Sequence, residues 1–430
     1  MFIEHIFAIF SSLFILFLAI LAKKRIGYYF NPVSIFCFFW FLYIFFPAVF
    51  IWDVKLNIYS LLYINIFNSL FFISIYFYRW KGFYGSEYPI LGFSVRSFSL
   101  GLLAIATIVS IIALIIDLYI QGLIGFSFFE IGTYYADRRY NDGLVQNSFS
   151  KIGTSLSLIC PIVGGLCFFY IQKRRKLITA FAFSPSVFLM LFQSAKGGFF
   201  LALAFFLGSF LAESFKNRKT SVNLFKIIGI KKLLIFTVFV FVIVISSFLS
   251  RGAYDLDFDR QVVFLKYYLS TYAFGHLYAF SDWFADFNGV ERSFIKYYIN
   301  NDIYPGYITF TSFYNLLGIK FEMPLGVYDE FLLYPDIFET NLYTFYRGII
   351  TDFGLIGSLL FSFFIGVFSI FMYRSYFRRG GIFSSLYMVY FFAISYQSYI
   401  ISTLTWVTIP FSFCVVAFIY RIIVVKRVAV

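Results

Sequence analysis

Six arginines and one lysine fall near the ends of apolar runs on the side of the chain opposite its main basic clusters: Arg138, Arg139, Lys196, Arg251, Arg260, Arg292 and Arg347. Arginine carries a planar fork of donors, charged at any working pH, that matches phosphate oxygens two at a time. A cavity lined in this way would suit a lipid-linked diphosphate. Lys196 stands in Gln193-Ser194-Ala195-Lys196-Gly197-Gly198, whose glycines permit close backbone approach and which opens a helix whose free N–H groups favour an anion. The same stretch also reads as a tight turn with a snorkelling lysine.

A second group surrounds Arg347. If the chain is helical there, Tyr343 and Arg347 share a face, whereas Arg347 and Asp352 lie too far apart around the helix to form a simple pair. Asp352 at the head of an apolar run would be expensive against lipid and is expected to face the bundle interior or its mouth, although an N-terminal acid also complements the helix dipole. Arg251 and Arg260 bracket Asp255, Asp257 and Asp259, a spacing that matches no calcium loop and reads as a solvated charged strip. His5 and His276 are the two histidines, and His276 is the candidate if an imidazole is to take a proton. A carboxylate could fill that role as well. No His-x-x-x-His pair, cysteine cluster, phosphate-binding Gly-x-x-x-x-Gly-Lys loop or Gly-x-Ser-x-Gly elbow is present, so neither metal hydrolysis, nucleotide-driven transport nor serine hydrolysis has support. No metal site and no cofactor are expected.

The elements that must position these residues are apolar. Of 430 residues, 61% are hydrophobic and only 13% charged, and the mean hydropathy is +0.85. Runs of spanning length recur at 2–22, 31–51, 58–78, 98–120, 151–171, 177–193, 198–215, 233–250, 348–371, 382–400 and 404–424. The expected fold is therefore an all-α polytopic membrane protein of about eleven transmembrane helices. The first run ends in Lys23-Lys24-Arg25 without a cleavage site and is expected to be retained.

The net charge of +13 is not a nucleic-acid signal. It gathers at Lys23–Arg25, Arg79 to Arg96, Lys173–Lys176, Lys216 to Lys232, Arg374 to Arg379 and Arg421 to Arg427. Those stretches, with Glu213 just before Lys216 counted in, hold most of the 34 basic residues but only Glu87 and Glu213 of the 21 acids. This is positive-inside bias, which puts those loops in the cytoplasm, the N-terminus outside and the C-terminus inside. The chain divides into an N-terminal bundle (1–250) with an outside loop at 121–150, a large outside loop (251–347) and C-terminal helices (348–430). Short apolar stretches in the large loop, such as 261–280, read as interfacial helices lying against the bundle.

The ladder of helices, the Lys196-Gly197-Gly198 turn, the one large outside loop, and above all Glu339-Thr340-Asn341-Leu342-Tyr343-Thr344-Phe345-Tyr346-Arg347 followed by Asp352-Phe353-Gly354-Leu355-Ile356-Gly357 resemble the bacterial O-antigen polymerases. The resemblance implies an inner-membrane glycosyltransferase of GT-C-like architecture with its large loop in the periplasm. Such an enzyme transfers a growing glycan from undecaprenyl diphosphate to a second lipid-linked repeat unit, without a nucleotide sugar or metal, alongside a separate chain-length-determining co-polymerase. Carried onto this chain, it makes Arg347, Arg251, His276 and Asp352 catalytic candidates, and Lys196, Arg260, Arg138, Arg139, Asn341 and Tyr343 substrate-binding candidates. A ligase moving the finished glycan to lipid A core would use the same donor, and a prominent loop histidine keeps it in view. A transporter of lipid-linked oligosaccharide would need intramembrane charges and repeated halves, neither of which is visible.

Overall fold

The computed structural model describes residues 2–80, 97–140, 147–168, 171, 176–193, 195–216, 230–249, 256–287, 306–319, 328 and 330–423. These are mostly helical, with almost no sheet. In chain order they form α1 (Phe2–Ile26), α2 (Pro32–Phe50), α3 (Ile58–Ile73), α4 (Ser97–Ile120), α5 (Phe128–Tyr140), α6 (Ser148–Cys167), α7 (Lys176–Phe181), α8 (Ser184–Phe192), α9 (Lys196–Lys216), α10 (Ile230–Leu249), α11 (Phe258–Ala273), α12 (Gly275–Phe287) and α13 (Thr311–Leu316). There follow a hairpin of β1 (Leu332–Tyr334) and β2 (Phe338–Thr340), then α14 (Thr344–Arg379), α15 (Ile382–Gln397) and α16 (Thr408–Ile423).

Helix occupies every one of the eleven apolar runs. Among the described residues, seven helices are long and apolar enough to cross a membrane: α1, α2, α3 with its 3₁₀ extension, α4, α6, α9 and α14. The remaining runs give shorter apolar helices. The run at 177–193 is broken because Pro185, at the first turn of α8, lacks the N–H needed to continue α7.

Local chemistry sets the ends. Asn31, Asn57 and Asn147 cap α2, α3 and α6 by accepting from the N–H groups of Ser34, Tyr59 and Ser150. α5 begins with a reciprocal capping box, in which Ser127 N–H donates to Glu130 Oε2 at 2.7 Å and Glu130 N–H donates to Ser127 Oγ at 3.3 Å. The basic Lys23, Lys24 and Arg25 sit in the last turn of α1, where the dipole favours them.

The chain divides into two compact units, each assembled from separated stretches: 1–88, 267–378 and 394–410 in one, and 89–266, 379–393 and 411–430 in the other. In the first, α1, α2 and α3 pack together, and α12 lies against α2, α3 and β2. Polar contacts from three residues of α12 fix that docking. Tyr278 Oη donates to the carbonyls of Pro47 (2.9 Å) and Ile51, Asn57 N–H donates to Ser281 Oγ, and His276 Nε2 lies 3.0 Å from the Tyr43 carbonyl. Pro47 lies within α2 and has no N–H to give the carbonyl four residues earlier, which is that of Tyr43. His276 supplies the missing donor from another element.

In the second unit, α6 packs on α4 and α9, with α8 alongside them. Asp117 on α4 is 1% exposed and ties three elements together. Its carboxylate accepts from Tyr135 Oη on α5 (3.0 Å), Gln193 Nε2 at the end of α8 (3.1 Å) and Asn147 Nδ2 at the cap of α6 (2.7 Å). The crossing of α6 and α9 depends on Gly165. A Cβ there would stand 2.5 Å from the Phe206 carbonyl oxygen and 2.7 Å from Ser209 Cβ. Gly165→Ala is accordingly expected to separate the two helices and cost about 1–3 kcal/mol, read as a lowered thermal midpoint of the purified protein in detergent. An unchanged midpoint would show that the crossing tolerates a methyl group.

Candidate functional site

The hairpin builds one side of the site. Its register pairs Leu332 with Thr340 and Tyr334 with Phe338, so the chain before β1 runs beside the chain after β2. Glu330 and Tyr343 are thereby brought to the start of α14. Asn341 Nδ2 donates to the Tyr328 carbonyl at 2.8 Å and fixes the segment that carries Tyr328.

At the centre is Arg347, on the first turn of α14 and 0% exposed. Its Nη2 donates to Glu330 Oε2 at 2.7 Å. The guanidinium carbon lies 4.0 Å from the Tyr343 ring centroid, 4.2 Å from that of Tyr328 and 5.4 Å from that of Trp283. A cation buried at the positive end of a helix is unfavourable by itself. The carboxylate supplies counter-charge, and each ring face adds about 0.5–2 kcal/mol of cation–π attraction, more as water is excluded. Burial pushes the Tyr343 phenol up to about 12, an effect partly opposed by Arg347. Burial likewise raises the Asp282 carboxyl, with Asp286 adding to it.

The neighbouring helix residues hold this arrangement in place. Tyr346, on the turn that carries Arg347, packs its ring tilted against Trp40 at 4.3 Å, and its Oη accepts from Asn68 Nδ2 at 3.0 Å. Phe345 N–H donates to the Ser398 carbonyl. Thr344 adopts φ 68°, a left-handed conformation that is rare for a β-branched residue, as the chain turns from Tyr343 into the helix. Asp352 is not paired with Arg347. It accepts from the N–H groups of Ile308 (3.0 Å) and Thr309 (2.7 Å) and from Thr309 Oγ1, which pins the 306–310 turn to α14. Gly354, at φ 69° and ψ 177°, then interrupts the helical geometry, and no atom lies within 4 Å of the place a Cβ would take. The glycine serves a backbone conformation that is open almost only to glycine.

The other candidates are placed differently. His276 is 0% exposed, with Nε2 committed to the Tyr43 carbonyl and its ring edge against Tyr43 and Tyr399. Burial pushes its imidazole down to about 4, so the ring is neutral at working pH. Lys196, Arg138, Arg139 and Arg260 belong to the second unit. Lys196 opens α9, is 6% exposed and sets its Nζ over the Phe248 ring at 4.2 Å. Arg138 is exposed and lies over Tyr134 at 4.9 Å. The side chain of Arg139, and Arg251 and Arg292 entirely, lie outside the described residues. Arg260 is 75% exposed and makes a solvated i,i+3 pair with Asp257 at 3.4 Å. Among the described residues no three His, Cys, Asp or Glu side chains converge as a metal site would require.

Sequence reasoning passes over Glu330, Tyr328 and Trp283 as members of the Arg347 cluster. Among the described residues, what the site offers chemically is a guanidinium held between ring faces and paired with the Glu330 carboxylate. Comparison with protein-family models, with curated proteins and with solved structures gave no match.

Proposed function

We propose that this chain is a bacterial inner-membrane glycosyltransferase that polymerises undecaprenyl-diphosphate-linked repeat units into O-antigen or a related surface polysaccharide. In this reading the eleven apolar helices span the membrane in a GT-C-like arrangement, with 251–347 in the periplasm. Donor and acceptor are both lipid-linked, and a chain-length-determining co-polymerase acts with it. The observation that carries the reading is the Arg347 cluster: a buried, rigidly held guanidinium placed where a polar segment enters a long apolar helix, which is where a lipid-linked diphosphate presents its charge. Asn341 and Tyr343, from the signature that suggests the family, both build that cluster. The ligase alternative leans on an available histidine, and His276 is committed to the Tyr43 carbonyl.

The test is the glycan ladder of cells lacking the gene. Loss of polymerisation is expected to leave lipid A core capped with a single repeat unit. Uncapped core with polymer retained on undecaprenyl diphosphate would overturn the proposal in favour of a ligase.

A further inference from the structure

Among the described residues, three rings and one carboxylate stand against the Arg347 guanidinium. The rings are fixed. Tyr328 and Tyr343 are buried and stack edge to face at 5.4 Å, and Trp283 sits on α12 against Phe280 and Phe287. Glu330 is different. Its side chain is 36% exposed while Arg347 is at 0%, and it stands on non-helical chain just ahead of β1. The carboxylate is thus the side of the cluster that solvent reaches.

An anion approaching Arg347 along that side meets Glu330 first, and the two compete for Nη2. We infer that Glu330 is an internal competitor for the anionic group that Arg347 binds: a phosphate oxygen of a lipid-linked diphosphate takes the place of Glu330 Oε2 on Nη2. This rests on the functional reading above and names a positioning residue for it. The exchange is one anion for another on a charge that never loses its counter-ion, so the buried cation is never left bare. No bond is made or broken. The ring faces keep the guanidinium plane fixed while the partner changes, which presents the same fork to carboxylate and phosphate.

The experiment uses the full chain in lipid nanodiscs, with undecaprenyl diphosphate and inorganic pyrophosphate as probes. Glu330→Gln removes the competing charge, and the loss of one charge-assisted contact to be displaced predicts binding of undecaprenyl diphosphate about tenfold tighter than wild type. Pyrophosphate is expected to follow the same order if the diphosphate alone is recognised, and to bind no variant if the lipid is needed. Adding Arg347→Ala is expected to erase the gain. Glu330→Asp keeps the counter-charge, and so the fold, but reaches Nη2 less well. It is expected to tighten binding by about threefold, which covers the case in which the Gln variant does not fold.

A structural role for Glu330 can only weaken binding or leave it alone. Equal or weaker affinity for undecaprenyl diphosphate in both variants therefore overturns the inference, as does failure of undecaprenyl diphosphate to bind any variant. Tightening in Glu330→Gln together with an unchanged ladder in deleted cells would keep the exchange and remove the polymerase reading. A single-repeat ladder without tightening would do the reverse.

Discussion

Replacing Arg347 with lysine is expected to abolish long-chain polymer while leaving the protein in the membrane at close to its normal abundance. Lysine keeps a positive charge for Glu330 but is a point charge on a flexible stem. It cannot lie flat between Tyr343 and Tyr328, at 4.0 and 4.2 Å, and still present a fork to an incoming oxygen. If the guanidinium stabilises charge developing on a departing diphosphate, losing that geometry should lower the rate by about 10²–10³. Alanine is the poorer choice, because breaking a buried ion pair from one side costs about 3–5 kcal/mol and would mix misfolding with loss of function. The measurement is polymer length formed from purified lipid-linked repeat units by matched amounts of wild type and Arg347→Lys. A full-length ladder from the variant would remove Arg347 from the site.

The second large effect concerns folding. His276→Leu is expected to lower the thermal midpoint, because it leaves the Tyr43 carbonyl without the donor that Pro47 cannot supply, at a cost of about 1–3 kcal/mol. In a Pro47→Ala background, residue 47 has its own N–H to give, and the same histidine change should cost markedly less. The double-mutant cycle therefore predicts coupling between positions on different elements. A pH series adds a second reading. Burial lowers the folded imidazole from 6.5 to about 4, so the unfolded chain takes up the proton more readily. Stability from the neutral ring is complete above about 6.5 and declines as pH falls from there toward 4. His276→Leu should flatten that decline. Equal losses in both backgrounds would mean that the ring serves something other than that carbonyl, and would return it to the list of candidate bases.

The helices were legible because each apolar run is long, recurrent and bounded by basic residues, which periodicity and charge reveal without tertiary information. α5 was less so. Its Ser127–Glu130 capping box is written in the sequence, but the polar composition of 121–150 reads as loop, and only the contact of Tyr135 with Asp117 shows what the helix is held by. At the site, Arg347, Asn341 and Tyr343 were found from one contiguous segment. Glu330 was not, although Pro335-Asp336 is a turn-forming pair between two short apolar stretches, and the register of the hairpin there carries residue 330 toward 342. Asp352 stands out as costly in apolar surroundings, and His276 as one of two histidines. What they bind, a backbone turn and a proline-freed carbonyl, depends on elements 43 or more residues away, and no local pattern encodes that.

The Tyr43 carbonyl also bears on how the protein is made. It emerges early, inside an apolar helix, and its donor follows 233 residues later. At ordinary rates of synthesis that interval is on the order of tens of seconds. Through it, α2 must hold an unsatisfied backbone oxygen in surroundings where such a group costs several kcal/mol. The first helices thus have a reason to remain unsettled until α12 has arrived, so a ribosome stalled before residue 276 would leave behind a bundle that has not committed to its final packing.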